Sequence, residues 1–359
     1  MRLRNFKLVT HTLDCSNGST GLVYPGEATI ECTSVDINNV PKTKTEIKLI
    51  LGDPDAALSM SGLPVDGVGL VRQEFVVANH IGIHPMAVLQ PENVSQEDRE
   101  IINERSKNDK SPKDFFVRKL SEGVGSIAAA FYPRPVLVRL GDFKSNERGE
   151  SMIGLRGASR YLSPEFTDAF KLECEALSYV RDKMGLKNID LMVPFCRTAE
   201  EGKAVIRLLK ENGLQQGKDG LKSGSYEFAE VFDGFSICSN DLTHLFLGVD
   251  RDSGILAGLF DEDNTAVREA ISLAIKGAHR NGKEVGICGQ APSGRPHFAR
   301  FLVDLGIDSI SLTPDAVLQA LDVVSAAESE HIVQEEISTV ITGGKIVGEK
   351  KTTNTALKA

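Results

Sequence analysis

Residues 231–252, VFDGFSICSNDLTHLFLGVDRD, decide how the rest of the chain is read. The run FDGFSI alternates large apolar and small residues and then stops abruptly, the pattern of a short buried strand. Cys238-Ser239-Asn240-Asp241 follows, a cluster of small polar groups with one carboxylate. At the C-terminal end of a parallel strand, such a cluster faces the crevice where α/β proteins bind ligands. There Asp241 would hold a hard cation, while Ser239 and Asn240 would hydrogen-bond a small oxyanion. The other reading is an Asx turn, in which Asn240 and Asp241 only cap the next segment. Spacing alone favours the turn, so the flanking chain has to decide.

Working outward, strands and helices alternate. IKLILGDPD (47–55) is a buried strand ending in a Gly-Asp-Pro turn, and DGVGLVRQEFVV (66–77) is a second strand carrying Arg72 and Glu74. Residues 91–111 are charged and poorly periodic, a surface excursion. A helix starts at Ser111-Pro112, with Pro at its first position and Asp114 in its first turn. PRPVLVRLGDF (133–143) returns as a strand with Arg139 and Asp142 near its end, and MIGLRGASRY (152–161) adds Arg156 and Arg160. A helix from Ser163-Pro164 buries Phe166, Phe170, Leu177 and Val180. IDLMVPF (189–195) is a strand, and Thr198 with Glu201 forms a capping box for the helix ending at Gly213. After the opening stretch come a helix over 264–282, the strand KEVGICGQ (283–290), a helix over 296–306, the strand IDSISL (307–312) and a helix over 314–324. So many βα units favour an α/β fold of the closed (β/α)8 TIM type over an open sheet. Residues 1–40 hold only short β segments, too little chain for a core of their own. The barrel then spans 41–325, and 326–359 reads as a polar, mobile tail.

Composition narrows the class. The chain is 41% hydrophobic and 25% charged, ordinary for a globular protein, and no apolar run reaches the length of a membrane span. A net charge of −9 argues against nucleic acid as the main partner. Six cysteines lie far apart and form no CxxC pair, so free thiols in a reducing compartment are expected rather than disulfides or a zinc site. Met1-Arg2-Leu3-Arg4 leads into no signal-peptide core, which makes the cytoplasm the expected location.

The chemically interesting residues fall at strand ends. Arg72, Arg139 and Arg156 end three successive strand-like segments, Asn240 and Asp241 a fourth, and Cys288 a fifth. In a barrel these ends converge on one mouth. Guanidiniums around a metal-binding carboxylate suit a small, multiply charged anion such as a phosphorylated acid. Taken singly, each arginine is better explained as a surface ion pair; their shared placement weakens that explanation. Cys288, between glycines in GICGQ, is either a small buried residue or a proton donor.

Six blocks carry a resemblance: GVGLVRQEF, VLVRLGDFKSNE, MIGLRGASRY, FDGFSICSNDLTHLFLGVDRDSG, VGICGQAPS and GIDSISLTPD. In order and spacing, over roughly residues 18–325, they resemble the C-terminal PEP-utilising barrel of the phosphoenolpyruvate synthases (pyruvate, water dikinases). TGLVYPGE resembles the end of that family's swivelling phosphohistidine domain, which makes residues 1–40 a remnant of it. The resemblance implies binding of pyruvate or phosphoenolpyruvate with Mg²⁺ and phosphoryl exchange with a phosphohistidine. The full family reaction converts ATP, pyruvate and water into AMP, phosphoenolpyruvate and phosphate. By the same resemblance Arg72, Arg139 and Arg156 are substrate arginines, and Asp241 is a metal ligand. Cys238, Ser239 and Asn240 take substrate-contacting positions, Cys288 is the proton donor to the enol carbon, and the assembly is a homodimer.

The departures are equally specific. No TCHA-type motif is present, His11 lacks its context, and no ATP-grasp segment appears, so a separate ATP-grasp/phosphohistidine protein is the implied partner. The family's strand ending in Glu-Ile-Pro, whose glutamate is a second Mg²⁺ ligand, has no counterpart in LKSGSYEFAEVFDGF; Glu227 and Glu230 stand in the wrong context. A barrel missing one strand is therefore expected, with two exposed sheet edges unless it closes differently. Cys238 stands where the family has glycine, and His244 replaces a glutamine. Three functions stay open: a synthase-like half-reaction completed by a partner, a binding protein without turnover, and a stand-alone 2-oxo-acid lyase, the last least supported by the blocks.

Overall fold

Ile47, Leu49 and Leu51 alternate with Glu46, Lys48 and Ile50, and that alternation builds the first strand of a closed parallel barrel in this computed structural model. The structure describes residues 11–14, 22–26, 40–143, 154–224, 230–250 and 253–343. The chain divides into two compact units, Met1–Asn39 and Val40–Ala359. In the first, His11–Asp14 pairs antiparallel with Leu22–Pro25. The segment EATIECTSV, Cys15, Cys32 and Glu227 lie outside the described residues.

In the second unit the strands are β1 (Glu46–Leu51), β2 (Gly67–Arg72), β3 (Val136–Arg139), β4 (Ile189–Met192), β5 (Ser223–Gly224), β6 (Gly234–Cys238), β7 (Glu284–Cys288) and β8 (Ser309–Leu312). They form one ring in chain order, β8 pairing back onto β1. The main helices are α1 (Pro112–Phe131), α2 (Thr167–Asp182), α3 (Ala199–Glu211), α4 (Ser239–Leu247), α5 (Thr265–Arg280), α6 (Pro296–Asp304) and α7 (Val317–Gly343). Their starts follow local chemistry. Ser111 accepts the Asp114 N–H with Pro112 at the first position of α1, and Thr198 accepts the Glu201 N–H at α3. Glu201 reaches back to the Arg197 N–H, one residue before the capping-box position. No helix among the described residues is long and apolar enough to cross a membrane.

The core lies between the outer faces of the strands and the helices. Val68, Val136, Ile189, Ile237 and Ile287 meet Phe116, Phe170, Leu209, Ile271 and Phe298, all fully buried or nearly so. Each such side chain contributes about 1.5–3 kcal/mol on burial. Inside the barrel only a thin apolar layer, Leu70, Met192 and Cys288 with Ile50, Leu137 and Cys238, fills the bore. Register shifts on both sides of β2 mark an irregularity at Gly69-Leu70 that puts Leu70 into this layer.

The expected gap in the barrel is present only as a shortening. Two residues, Ser223 and Gly224, hold the fifth place: both pair with β4, and Gly224 alone pairs with Gly234 of β6. Carboxylates take over where the ladder is too short. Asp233 accepts the Ser223 N–H at 3.0 Å and the Gln216 amide at 2.8 Å, and Asp190 accepts the Lys222 N–H at 2.9 Å. A Cβ on Gly224 would stand 3.3 Å from the Gly234 carbonyl oxygen, so a small residue suits the closest strand approach.

The segment beyond Ser325, expected as a tail, continues α7 to Gly343. Ala327 is buried, the Glu328 carboxylate accepts the Lys44 and Thr45 N–H groups, and Glu330 pairs with Arg300 of α6. Docking on the barrel, rather than polarity, decides its conformation.

The exit of β3 is clamped by α2. Glu173, fully buried, accepts the Gly141 N–H at 3.0 Å, and Tyr161 donates its hydroxyl to the Gly141 carbonyl at 2.8 Å. Burial pushes the Glu173 carboxyl up to about 7 against the opposing Gly141 hydrogen bond.

Two outcomes are expected. Asp233→Ala removes two charge-assisted hydrogen bonds and lowers stability by about 2–3 kcal/mol, read as a lower urea midpoint at unchanged slope; an unaltered midpoint would show that the carboxylate does not hold β5. Glu173 binds its proton more tightly folded than unfolded, so the stabilisation it gives is complete below its ordinary carboxyl pKa and is lost as pH rises through about 7. The loss amounts to about 3 kcal/mol. Urea unfolding of Glu173→Gln across pH 4–8 should lack that fall, and parallel profiles for the two proteins would contradict the assignment.

Candidate active site

Arg72 and Arg139 are the last residues of β2 and β3 and stand side by side in register. Cys238 and Cys288, the last residues of β6 and β7, do the same across the ring. Between them opens a cavity of about 380 Å³ at the C-terminal mouth, lined by Arg139, Met192, Phe195, Arg197, Cys238, Asp241 and Cys288 among others. Ligand sites of barrels sit at this face.

A buried ion network sets the charge of the mouth. Arg139 donates to Glu74 at 3.1 Å and lies 3.6 Å from Asp142. Burial alone would pull the Arg139 guanidinium down; the Glu74 and Asp142 carboxylates outweigh it and hold it above its ordinary value. Asp142, whose side chain is fully buried, grips Arg156 through both oxygens, and Glu74 accepts the Asp142 N–H. Arg156 in turn reaches Asp241 at 3.5 Å. The Nε atoms of Arg72 and Arg139 are buried without a hydrogen-bond partner. Arg139 lines the cavity, whereas Arg72, its register partner, is not among the lining residues.

Arg156 does not end a strand, contrary to the expectation. It belongs to the Gly154–Gly157 stretch between β3 and α2, and Gly157 makes the turn possible: its φ is +64°, and a Cβ there would sit 2.3 Å from the Pro194 carbonyl oxygen. The guanidinium lies 3.8 Å from the Phe195 ring centroid. Phe195 itself holds a left-handed φ of 44°, unfavourable for a bulky residue and repaid by this stacking. Arg156 is thus fixed on two sides and acts behind the cavity wall.

Cys238-Ser239-Asn240-Asp241 is neither a free loop nor an Asx turn: Ser239 opens α4 directly after β6. Only Cys238 and Asp241 of the four line the cavity. Ser239 is fully buried, donating to Glu262 and, at 3.3 Å, to the Cys288 carbonyl; a Cβ on Gly289 would collide with its hydroxyl. Asn240 is buried too, its Oδ1 without a partner. Cys288 is buried against its neighbour. The hydrogen bond from the Cys238 thiol, aided by Arg139 and Arg72, holds the Cys288 thiol below its usual range despite burial, while the same contact and burial push Cys238 well up.

Phe195 and Arg197 also line the cavity, and the sequence reading passed over them. The signal was available: they follow β4 directly, as the other site residues follow their strands. Arg197 donates to Ser159 at 2.7 Å and to the Phe195 carbonyl at 3.2 Å, which ties the wall together.

The donor set for a divalent cation is thin. Among the described residues no group of three or more His, Cys, Asp or Glu side chains could hold a metal ion. Asp142 is committed to Arg156, Glu262 to Ser239, and Glu230 is exposed; Asp241, with 27% of its side chain exposed, is the carboxylate that faces the cavity. Such a set fits a Mg²⁺ that arrives with a ligand's own oxygens, not a pre-formed metal cage.

The chain is 48% identical over 336 residues to the phosphoenolpyruvate synthase of Synechocystis sp., covering 86% of this chain and 41% of that protein. It is 47% identical over 331 residues to the phosphoenolpyruvate synthase of Deinococcus radiodurans, covering 86% and 42%. The chain thus spans about two fifths of the length of the curated relatives it matches. Among solved structures, an HpcH/HpaI aldolase/citrate lyase family protein from Burkholderia cenocepacia aligns with a TM-score of 0.41 at 14% identity, over 83% of this chain and 95% of that one. The model of the PEP-utilising enzyme PEP-binding domain matches residues 31–329, and the chain belongs to that family.

Proposed function

We propose that the barrel mouth binds pyruvate or phosphoenolpyruvate and that Cys288 moves the proton at C3 of the bound acid. The observation that carries this reading is the convergence of Arg139, Asp241 and Cys288 on one cavity, with Arg72 in register beside Arg139. A three-carbon 2-oxo acid needs its carboxylate and enolate oxygen held by cations, and its methyl group set against a proton carrier. Arg72 and Arg139 would hold the oxygens, with Arg156 keeping Asp241 in place. The Cys288 thiol would hand its proton to C3 or take one back. When bound, Mg²⁺ would draw charge from the carbonyl oxygen and stabilise the enolate; Asp241 would hold it together with the ligand and water.

Phosphoryl transfer in the manner of the full-length relatives would need a phosphohistidine from outside these 359 residues. A second reading, binding without turnover, is favoured by one observation: among the described residues Asp241 is the one carboxylate that lines the cavity.

Two measurements follow. Calorimetric titration with oxalate, which mimics the pyruvate enolate, should show binding that requires Mg²⁺, and Asp241→Ala should remove the Mg²⁺ requirement together with most of the affinity. Arg72→Ala and Arg139→Ala should each weaken oxalate binding at least about tenfold while the chain stays folded, one charge-assisted contact being worth about 1.5–3 kcal/mol. Unchanged affinity in both variants would sink the site. Second, NMR of pyruvate in D₂O with Mg²⁺ should show exchange of the methyl protons by the protein, abolished in Cys288→Ala while oxalate still binds. Oxalate binding without exchange in the unaltered chain would favour the second reading.

A further inference from the structure

We propose that Cys238 and Cys288 are a dithiol modification site, which a hydroperoxide converts to a disulfide across the mouth of the barrel. The pair is set by the fold. Each is the last residue of its strand, and the two are direct register partners between β6 and β7. Neighbouring strands run about 4.8 Å apart, inside the range of about 4.4–6.8 Å that disulfides span between Cα atoms. Both side chains point into the bore, where they belong to the same small apolar layer, and both line the same cavity. Closing the bond therefore needs rotation of side chains rather than movement of strands. Both are free thiols.

Access and reactivity are divided between the partners. Cys238 is half-buried and faces the cavity, so a small oxidant can reach the pair. Cys288 is the stronger acid, with Arg139 and Arg72 near its sulfur. The Cys288 thiolate attacks one oxygen of the hydroperoxide; the O–O bond breaks, and the other oxygen leaves as water or an alcohol after taking a proton. The Cys288 sulfenic acid is then attacked by the Cys238 sulfur. Its S–O bond breaks, a second water leaves carrying the Cys238 proton, and the S–S bond forms. Both sulfurs are oxidised and the hydroperoxide is reduced, with no other reactant.

The inference rests on strand register and not on the proposed function, and its readout is mass rather than turnover. The test exposes the folded full chain to hydrogen peroxide, blocks remaining thiols with N-ethylmaleimide, and maps the digested peptides by mass without reduction. The expected result is one linked peptide pair joining Cys238 to Cys288, with two hydrogen atoms lost, released by dithiothreitol. In Cys238→Ser the link should vanish and Cys288 should advance to the sulfinic acid. Maleimide on both residues after peroxide would overturn the proposal, and so would linkage of either to Cys196, a further cysteine on the cavity wall.

Discussion

The buried Asp142 carboxylate is the constraint on which the site depends. It holds Arg156 through both oxygens, stands 3.6 Å from Arg139, and gives its own N–H to Glu74, which holds Arg139 from the other side. An ion with a fully buried side chain is costly unless matched on every side, and here the matching groups come from β3, the loop after it and the turn after β2. The clamp of Glu173 and Tyr161 on Gly141 fixes the peptide just before Asp142, so the helix layer is connected directly to the charge at the mouth. A guanidinium held this way loses little rotamer entropy when a ligand arrives, which is what preorganisation means energetically.

Much of the barrel was legible because long strands and helices write their periods plainly. The alternation at 47–51, the Ser111-Pro112 start and the Thr198 cap all correspond to observed elements. The fifth strand was not legible, since two residues carry no period and their pairing depends on the Asp190 and Asp233 carboxylates. The helix beyond Ser325 was hidden for a related reason: buried Ala327, the reach of Glu328 to Lys44 and Thr45 and the pairing of Glu330 with Arg300 tie it down, and none of these is a periodic signal.

Of the site residues, Arg139, Cys238, Asp241 and Cys288 reach the cavity wall, because strand-end position was a sound guide for them. Ser239 and Asn240 had the right place in the chain, but helix α4 turns them under the rim. Arg156 acts through Asp142, Asp241 and Phe195, a role that depends on a loop conformation no spacing rule encodes. Among the described residues the cavity wall carries the guanidiniums of Arg139 and Arg197 and one carboxylate, Asp241.

The most direct test is a crystal structure of the chain grown with oxalate and Mg²⁺. Oxalate is expected in the cavity on Arg139 with an Asp241-held ion, and with the Asp142–Arg156 pair unbroken. Oxalate bound elsewhere, or an occupied cavity in which Arg156 has left Asp142 for the ligand, would contradict the claim that the buried network sets the mouth in advance.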